Sequence, residues 1–181
     1  MDNKIALLRG INVGGKKKIL MADLKELFIQ LGCKQVKTYI QSGNVLFESI
    51  EDNSQLADQI KIAIQKKFDF DVPVILLSKA ELIEAYTSNP FLSENIEMGK
   101  LHLTFLKEQP TAEAIEQLKS MDLKQDRFEI IAKNLYIHCE GKFHKTKLTS
   151  AVIERKLNTQ TTTRNWKTVT KLVELCQNHG E

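Results

Sequence analysis

Apolar residues recur along this chain in two rhythms: short unbroken runs, and stripes spaced by three and four. Lys4 to Arg9 carries Ile5-Ala6-Leu7-Leu8, a run of the length expected of a buried strand. Met21, Leu24, Leu27, Phe28 and Leu31 then fall on one helical stripe, and Gly32 follows where a left-handed cap is expected. Val36 to Gln41 and Val45 to Glu48 flank Ser42-Gly43-Asn44, which has the chemistry of a tight hairpin turn. Asn53 or Ser54 is expected to cap a second helix that turns Leu56, Ile60, Ala63, Ile64 and Phe68 inward. Val72 to Leu77 reads as a strand that Pro73 confines to an edge or a strand start. Ser78 and Glu81 make a capping box for a short helix ending before Asn89-Pro90. The order is β-α-β-β-α-β, the ferredoxin-like split arrangement.

The rhythm restarts after Phe91 to Lys100, a stretch without a strong period that holds Ser93, Glu94, Asn95 and Gly99. We therefore expect a first domain over residues 1–92 and a second over 99–181. Leu101 to Leu106 reads as a strand, and Pro110-Thr111 opens a helix with Ile115, Leu118 and Met121 inward. Phe128 to Ala132 pairs with Leu135 to Cys139 across Lys133-Asn134. Leu148, Val152, Ile153 and Leu157 mark another helix. Thr163 is expected to cap a last one, with Trp166, Val169, Leu172, Val173 and Cys176 as its stripe. The second half repeats β-α-β-β-α and then ends in a helix where the first has a strand. The expected fold class is α+β, with two packed ferredoxin-like halves on antiparallel sheets.

Composition narrows the function classes. A chain of 181 residues with 42% hydrophobic and 27% charged positions can bury a proper core. No apolar run reaches the ~20 residues of a bilayer span, so no membrane partner is expected. Met1-Asp2-Asn3-Lys4 leads straight into the first strand, and no signal peptide is expected. Cys33, Cys139 and Cys176 are widely spaced and odd in number, as in a reduced, cytoplasmic protein. The net charge of +3 favours anionic partners only mildly.

The most distinctive stretch is Arg9-Gly10-Ile11-Asn12-Val13-Gly14-Gly15-Lys16-Lys17-Lys18, which follows the first strand directly. It comes close to the phosphate loop of nucleotide hydrolases, but Lys17 stands where a magnesium-binding hydroxyl belongs. The next helix starts near Met21, too late for its amides to meet a phosphate held by the loop. Two readings stay open: a tight turn with solvated lysines, or an anion-binding loop of another kind using backbone amides with Arg9, Lys16 and Lys17.

Tyr39 and Gln41 share one face if both lie in a strand, and in the split arrangement that strand's end approaches the end of the first. Ser42 and Gly43 read most simply as turn residues. Arg164 and Asn165 fall in the first turn of the last helix, where positive charge opposes the macrodipole, an inconsistency that often marks function. Lys145 and Lys147 precede the neighbouring helix. His138 and Cys139 face opposite ways on a strand and share no metal, while His144 and Glu140 add no full ligand set. His102 and His179 read as surface or satisfied histidines. No catalytic nucleophile is identifiable, and no metal site or cofactor is expected.

Ala6-Leu-Leu-Arg-Gly-Ile-Asn-Val-Gly-Gly-Lys16, Met21-x-x-Leu24, Thr38-Tyr-Ile-Gln-Ser-Gly-Asn-Val45 and Thr163-Arg-Asn-Trp166 with Thr168-Val169 together resemble a bacterial family, domain of unknown function 1697. The resemblance spans essentially the whole chain. It implies an α+β protein with ferredoxin-like halves, and it implies no activity. The expectation is a cytoplasmic binder of a small anionic or phosphorylated ligand. Arg9, Asn12, Gly14, Gly15 and Lys16 would contact it, Tyr39, Gln41 and Asn44 would orient the rest, and Arg164 and Asn165 would close the site. A nucleic-acid-binding module and a metal-independent enzyme are the alternatives. The sequence sets neither the ligand's identity nor the oligomeric state.

Overall fold

The computed structural model describes residues 1–179. The chain divides into two compact units, Met1–Glu84 with Leu172–Glu181, and Ala85–Lys171. Each is built on a four-stranded antiparallel sheet, so the protein is α+β with two similar halves.

In the first unit β1 (Asp2–Leu8), α1 (Met21–Gln30), β2 (Lys34–Tyr39), β3 (Asn44–Ser49), α2 (Asn53–Phe68) and β4 (Val74–Ser78) follow one another, with strand order β2-β3-β1-β4. Pro73 sits just before edge strand β4, where a missing N–H costs no ladder bond. Its carbonyl accepts from the Arg9 N–H at 3.0 Å. Ala6, Leu8, Val45, Phe47 and Leu76 pack with Leu24, Leu27 and Phe28 of α1 and Leu56, Ile60 and Ile64 of α2. Ile5, Leu7, Leu46 and Ile75 point to the opposite face and are buried too. The cap of α2 is Asp52, which accepts from the N–H groups of Ser54 and Gln55, and not Asn53 or Ser54. A carboxylate there also meets the positive end of the helix dipole. The capping box of α3 (Lys79–Thr87) forms as its residues dictate: Glu81 accepts from the Ser78 N–H at 2.7 Å, and the Ser78 hydroxyl accepts from the Glu81 N–H at 3.2 Å.

The second unit runs β5 (Leu101–Leu106), α4 (Ala112–Lys119), β6 (Arg127–Ile131), β7 (Asn134–His138), α5 (Ser150–Leu157) and β8 (Thr161–Asn165), with order β6-β7-β5-β8. Thr111 and Thr149 cap α4 and α5. Leu106, Leu135 and Ile137 pack with Leu118, Ile153 and Leu157. Leu101, Leu103, Phe105 and Tyr136, on the other face, are also buried. The last helix, α6, is Trp166–Gln177. The expectation that this half lacks a final strand is corrected: Thr161 to Asn165 pairs with β5 from Leu106↔Thr161 to His102↔Asn165. β-Branched threonines suit a pleated edge, and the Thr104 and Thr163 hydroxyls meet across it at 2.7 Å.

No described helix is long and apolar enough to cross a membrane. Burial pushes the Cys33 and Cys139 thiols up to about 11 and raises that of Cys176. All three are free and buried, and behave as small core residues.

Candidate functional site

Where β1 ends, the chain must leave the sheet without abandoning its hydrogen bonds. Leu8 donates its N–H to the Gly43 carbonyl at 2.8 Å, so the end of β1 is joined to the β2–β3 turn. Ile11 and Ile19 then plunge into the core, 0% and 2% exposed, and the seven residues between them form a small projecting hairpin. Its rungs are Asn12 N–H to Lys17 O and Lys16 N–H to Val13 O, both 3.1 Å, and Val13 bridges Lys16. Gly14 and Gly15 make the two-residue tip with φ of 59° and 75°, as a type I′ turn requires. This is a β-finger, and a phosphate loop running into a helix is a different structure.

Asn12 holds the finger in place. Its side-chain amide donates to the Ile19 and Gln41 carbonyls, both at 2.9 Å, and its Oδ1 accepts from the Ile19 N–H at 2.9 Å. Both donors and one lone pair are thereby engaged. One side chain links the finger's two legs and ties them to the β2–β3 turn. Asn44 does the same for that turn: fully buried, it donates to the Tyr39 carbonyl and the Ser42 hydroxyl, each at 3.0 Å.

The remaining expected site residues separate by role. Gly14, Gly15 and Lys16 are exposed at the tip, Arg9 is half-buried at the finger's base, and Lys17 donates to the Asp71 carbonyl. Tyr39 ends β2, but Gln41 lies in the four-residue turn Ile40–Gly43, so the shared strand face is corrected. The strand stops early because Ile40 takes a left-handed φ of 48°.

Arg164 and Asn165 belong to the second unit and to β8, so their expected place in a first helical turn is also corrected. Arg164 is buried, donates to the Thr162 hydroxyl at 2.9 Å and the Thr163 carbonyl at 3.0 Å, and burial pulls its guanidinium down to about 10. Asn165 accepts from the Thr168 N–H at 2.8 Å and thus caps α6.

The finger's electrostatics follow from what is left over. Among the described residues the Gly14 and Gly15 N–H groups have no hydrogen-bond partner, and the Lys16 and Lys18 ammonium groups stand in solvent without a carboxylate. Two residues of chain separate Lys18 from Met21, where α1 begins; its N-cap, Leu20, offers no side chain to the first amides. Asp23 in that first turn partly offsets the dipole. Val13 and Leu20, 63% and 70% exposed, flank the lysines.

The histidines depart from a surface reading. His102 is 8% exposed and lies on Phe143 at 3.9 Å, with its Nδ1 unpartnered, and His179 is 3% exposed. Burial lowers both pKa values below the ordinary value near 6.5. The unfolded chain therefore binds these protons first, and the stability is present above ~6.5 and lost as pH falls below it. The urea midpoint is expected to drop between pH 7 and 5, and His102→Asn to flatten that drop. An unchanged slope in the variant would show that His102 is not its source. No group of three or more His, Cys, Asp or Glu among the described residues is placed to hold a metal ion.

A duplicated α+β unit with a glycine–lysine finger on its first copy is thus the class of protein that the coordinates define. The chain belongs to the family described as "Protein of unknown function (DUF1697)", which it matches over residues 1–136. It is also similar to a solved structure, that of conserved bacterial protein SP0830 from Streptococcus pneumoniae. The two are 26% identical, the match covers 97% of this chain and 98% of that one, and the TM-score is 0.79. No curated protein matches.

Proposed function

We propose that the protein is a cytoplasmic binder of a small anionic or phosphorylated ligand, taken up at the glycine–lysine finger. The observation that carries this reading is the pinned finger itself: Asn12 fixes two unpaired tip amides and the exposed Lys16 at one place. Fixed donors bind an anion without first losing chain entropy. In this reading Gly14, Gly15, Lys16 and Arg9 contact the anion, with Lys18 beside them. Tyr39 and Gln41 border the site, and Asn12 and Asn44 hold its shape. The contact set is drawn from the first unit alone.

A nucleic-acid surface is the rival. RNA-reading sheets of this topology expose one face carrying aromatics on which bases stack. Here β1 and β3, and β5 and β7, are buried on both faces, which favours a small ligand.

The test is a thermal-shift screen of phosphorylated metabolites against the protein and its Lys16→Ala/Lys18→Ala variant. Both lysines are exposed, so their loss is expected to change basal stability by less than about 0.5 kcal/mol. A ligand at ~100 times its Kd stabilises by about 2.7 kcal/mol, roughly 5–10 °C for a chain of this size. The double variant is expected to lose most of that shift. Full retention of the shift would overturn the site, and a response confined to oligonucleotides that vanishes with salt would favour the rival.

A further inference from the structure

The second unit contains a half-open cavity of about 260 Å³. One wall is the loop after α4, Leu123 to Asp126, and the other is Glu140 to Lys147, which includes a 3-10 turn at Phe143–Lys145. Asp126 staples the walls together, accepting from the Glu140 N–H at 3.0 Å and from the Thr146 hydroxyl at 2.6 Å. The Thr146 hydroxyl in turn accepts from the Leu148 N–H at 3.2 Å. Phe143 packs against the core of this unit and stacks on His102. The turn that carries the rim is therefore anchored on its apolar side, which leaves its charged residues exposed.

Four lysines line this cavity: Lys124, Lys142, Lys145 and Lys147. Its two carboxylates are already engaged. Both Asp126 oxygens serve the staple, and Glu140 is paired with Lys100 at 2.8 Å and lies 3.4 Å from His138 Nε2. Lys147 is matched by Asp122 at 3.3 Å. Lys142 and Lys145 have no carboxylate partner among the described residues. The Gly141 and Lys142 N–H groups, beside them, also lack hydrogen-bond partners there. The fold thus gathers like charges around one concavity and leaves those of Lys142 and Lys145 uncompensated, which opposes stability unless something anionic enters.

We propose that this cavity is a binding site for a compact polyanion, a phosphate or diphosphate ester. Lys142, Lys145 and Lys124 supply the charge, and the Gly141 and Lys142 amides supply directed hydrogen bonds. The volume lies just under the ~300 Å³ at which pockets for drug-sized ligands begin, so the ligand is small. A nucleic-acid strand calls for a groove that tracks several nucleotides, and the cavity is a single concavity. The site lies wholly in the second unit and does not rest on the reading of the finger in the first.

Pyrophosphate titrated into the full-length protein by calorimetry tests the proposal. Lys142→Gln/Lys145→Gln removes two exposed charges from the rim. Gly141→Phe adds bulk at a residue that lines the cavity: a Cβ at Gly141 meets no atom within 4 Å, and its φ is not left-handed. One-to-one binding is expected, weakened ~10-fold or more in each cavity variant and unchanged in Lys16→Ala/Lys18→Ala. Thermal midpoints without ligand confirm that each variant folds; if Gly141→Phe is impaired, the lysine variant decides. The proposal is overturned if millimolar pyrophosphate does not bind, if the lysine variant binds it as tightly as the parent, or if oligonucleotides bind and pyrophosphate does not. Loss of binding in Lys16→Ala/Lys18→Ala alone would assign pyrophosphate to the finger and overturn the cavity.

Discussion

Gly43→Ala is expected to destabilise the protein by about 3 kcal/mol or more. Two causes add. Gly43 has a φ of +78°, which an L side chain adopts only at a cost of roughly 1–2 kcal/mol. A Cβ there would also stand 2.7 Å from the Leu8 Cβ and 2.9 Å from the Ile11 Cδ1. The Leu8 Cβ is fixed to backbone whose N–H bonds the Gly43 carbonyl, so it cannot retreat without breaking the junction. Overpacking of this kind costs roughly 1–3 kcal/mol. Gly14→Ala is the matched control, since its φ of +59° brings the same conformational cost but no atom lies within 4 Å. Thermal denaturation should show Gly43→Ala melting roughly 6–12 °C below the parent and Gly14→Ala much closer to it. Equal shifts for the two would mean that conformation alone matters and that the turn does not press on β1.

Asn12→Ala is expected to cost about 2–3 kcal/mol, from three hydrogen bonds worth ~1 kcal/mol each. Part of this loss is the stranding of the Ile19 N–H and carbonyl, which sit beside a side chain that is 2% exposed. Asn12→Asp should be worse than alanine at neutral pH. Its carboxylate still accepts from the Ile19 N–H, but it brings a negative oxygen to two carbonyls that had a donor. Urea denaturation of both variants beside the parent checks the order; an aspartate as stable as asparagine would show that the amide is not the clamp. Asn12→Gly adds a separate reading, because φ is +55° here and glycine relieves that strain. It should retain slightly more stability than alanine while losing the same hydrogen bonds.

The architecture was legible wherever apolar side chains reported it. The run Ile5 to Leu8, the stripe on α1 and the Ser78–Glu81 box each state one element in local chemistry, and Pro73 states that its strand lies at an edge. β8 escaped because Thr161 to Asn165 has no apolar alternation; its partner β5 was plain, but pairing between residues 102 and 165 leaves no local mark. The finger was legible as a glycine turn and its lysines as free charge. The role of Asn12 was not, since its partners Ile19 and Gln41 are brought to it only by the fold. The cavity was more opaque still. Lys124 sits apart from the run at Lys142, Lys145 and Lys147, and only the Asp126 staple sets them around one space.

Helix α6 begins within one unit and finishes within the other, the division falling between Lys171 and Leu172. The first unit is therefore assembled from both ends of the described chain, and Asn3 donates its side-chain amide to the His179 carbonyl at 3.2 Å. On the ribosome, the whole second unit is made between residues 1–84 and the part of α6 that belongs with them, a matter of seconds at ~5–20 residues per second. At the end of that interval the second unit has all of its own residues, while the first still lacks its part of α6. The sheet of the first unit and the core cluster packed on it lie within residues 1–84, so only its segment of α6 is left to be added last.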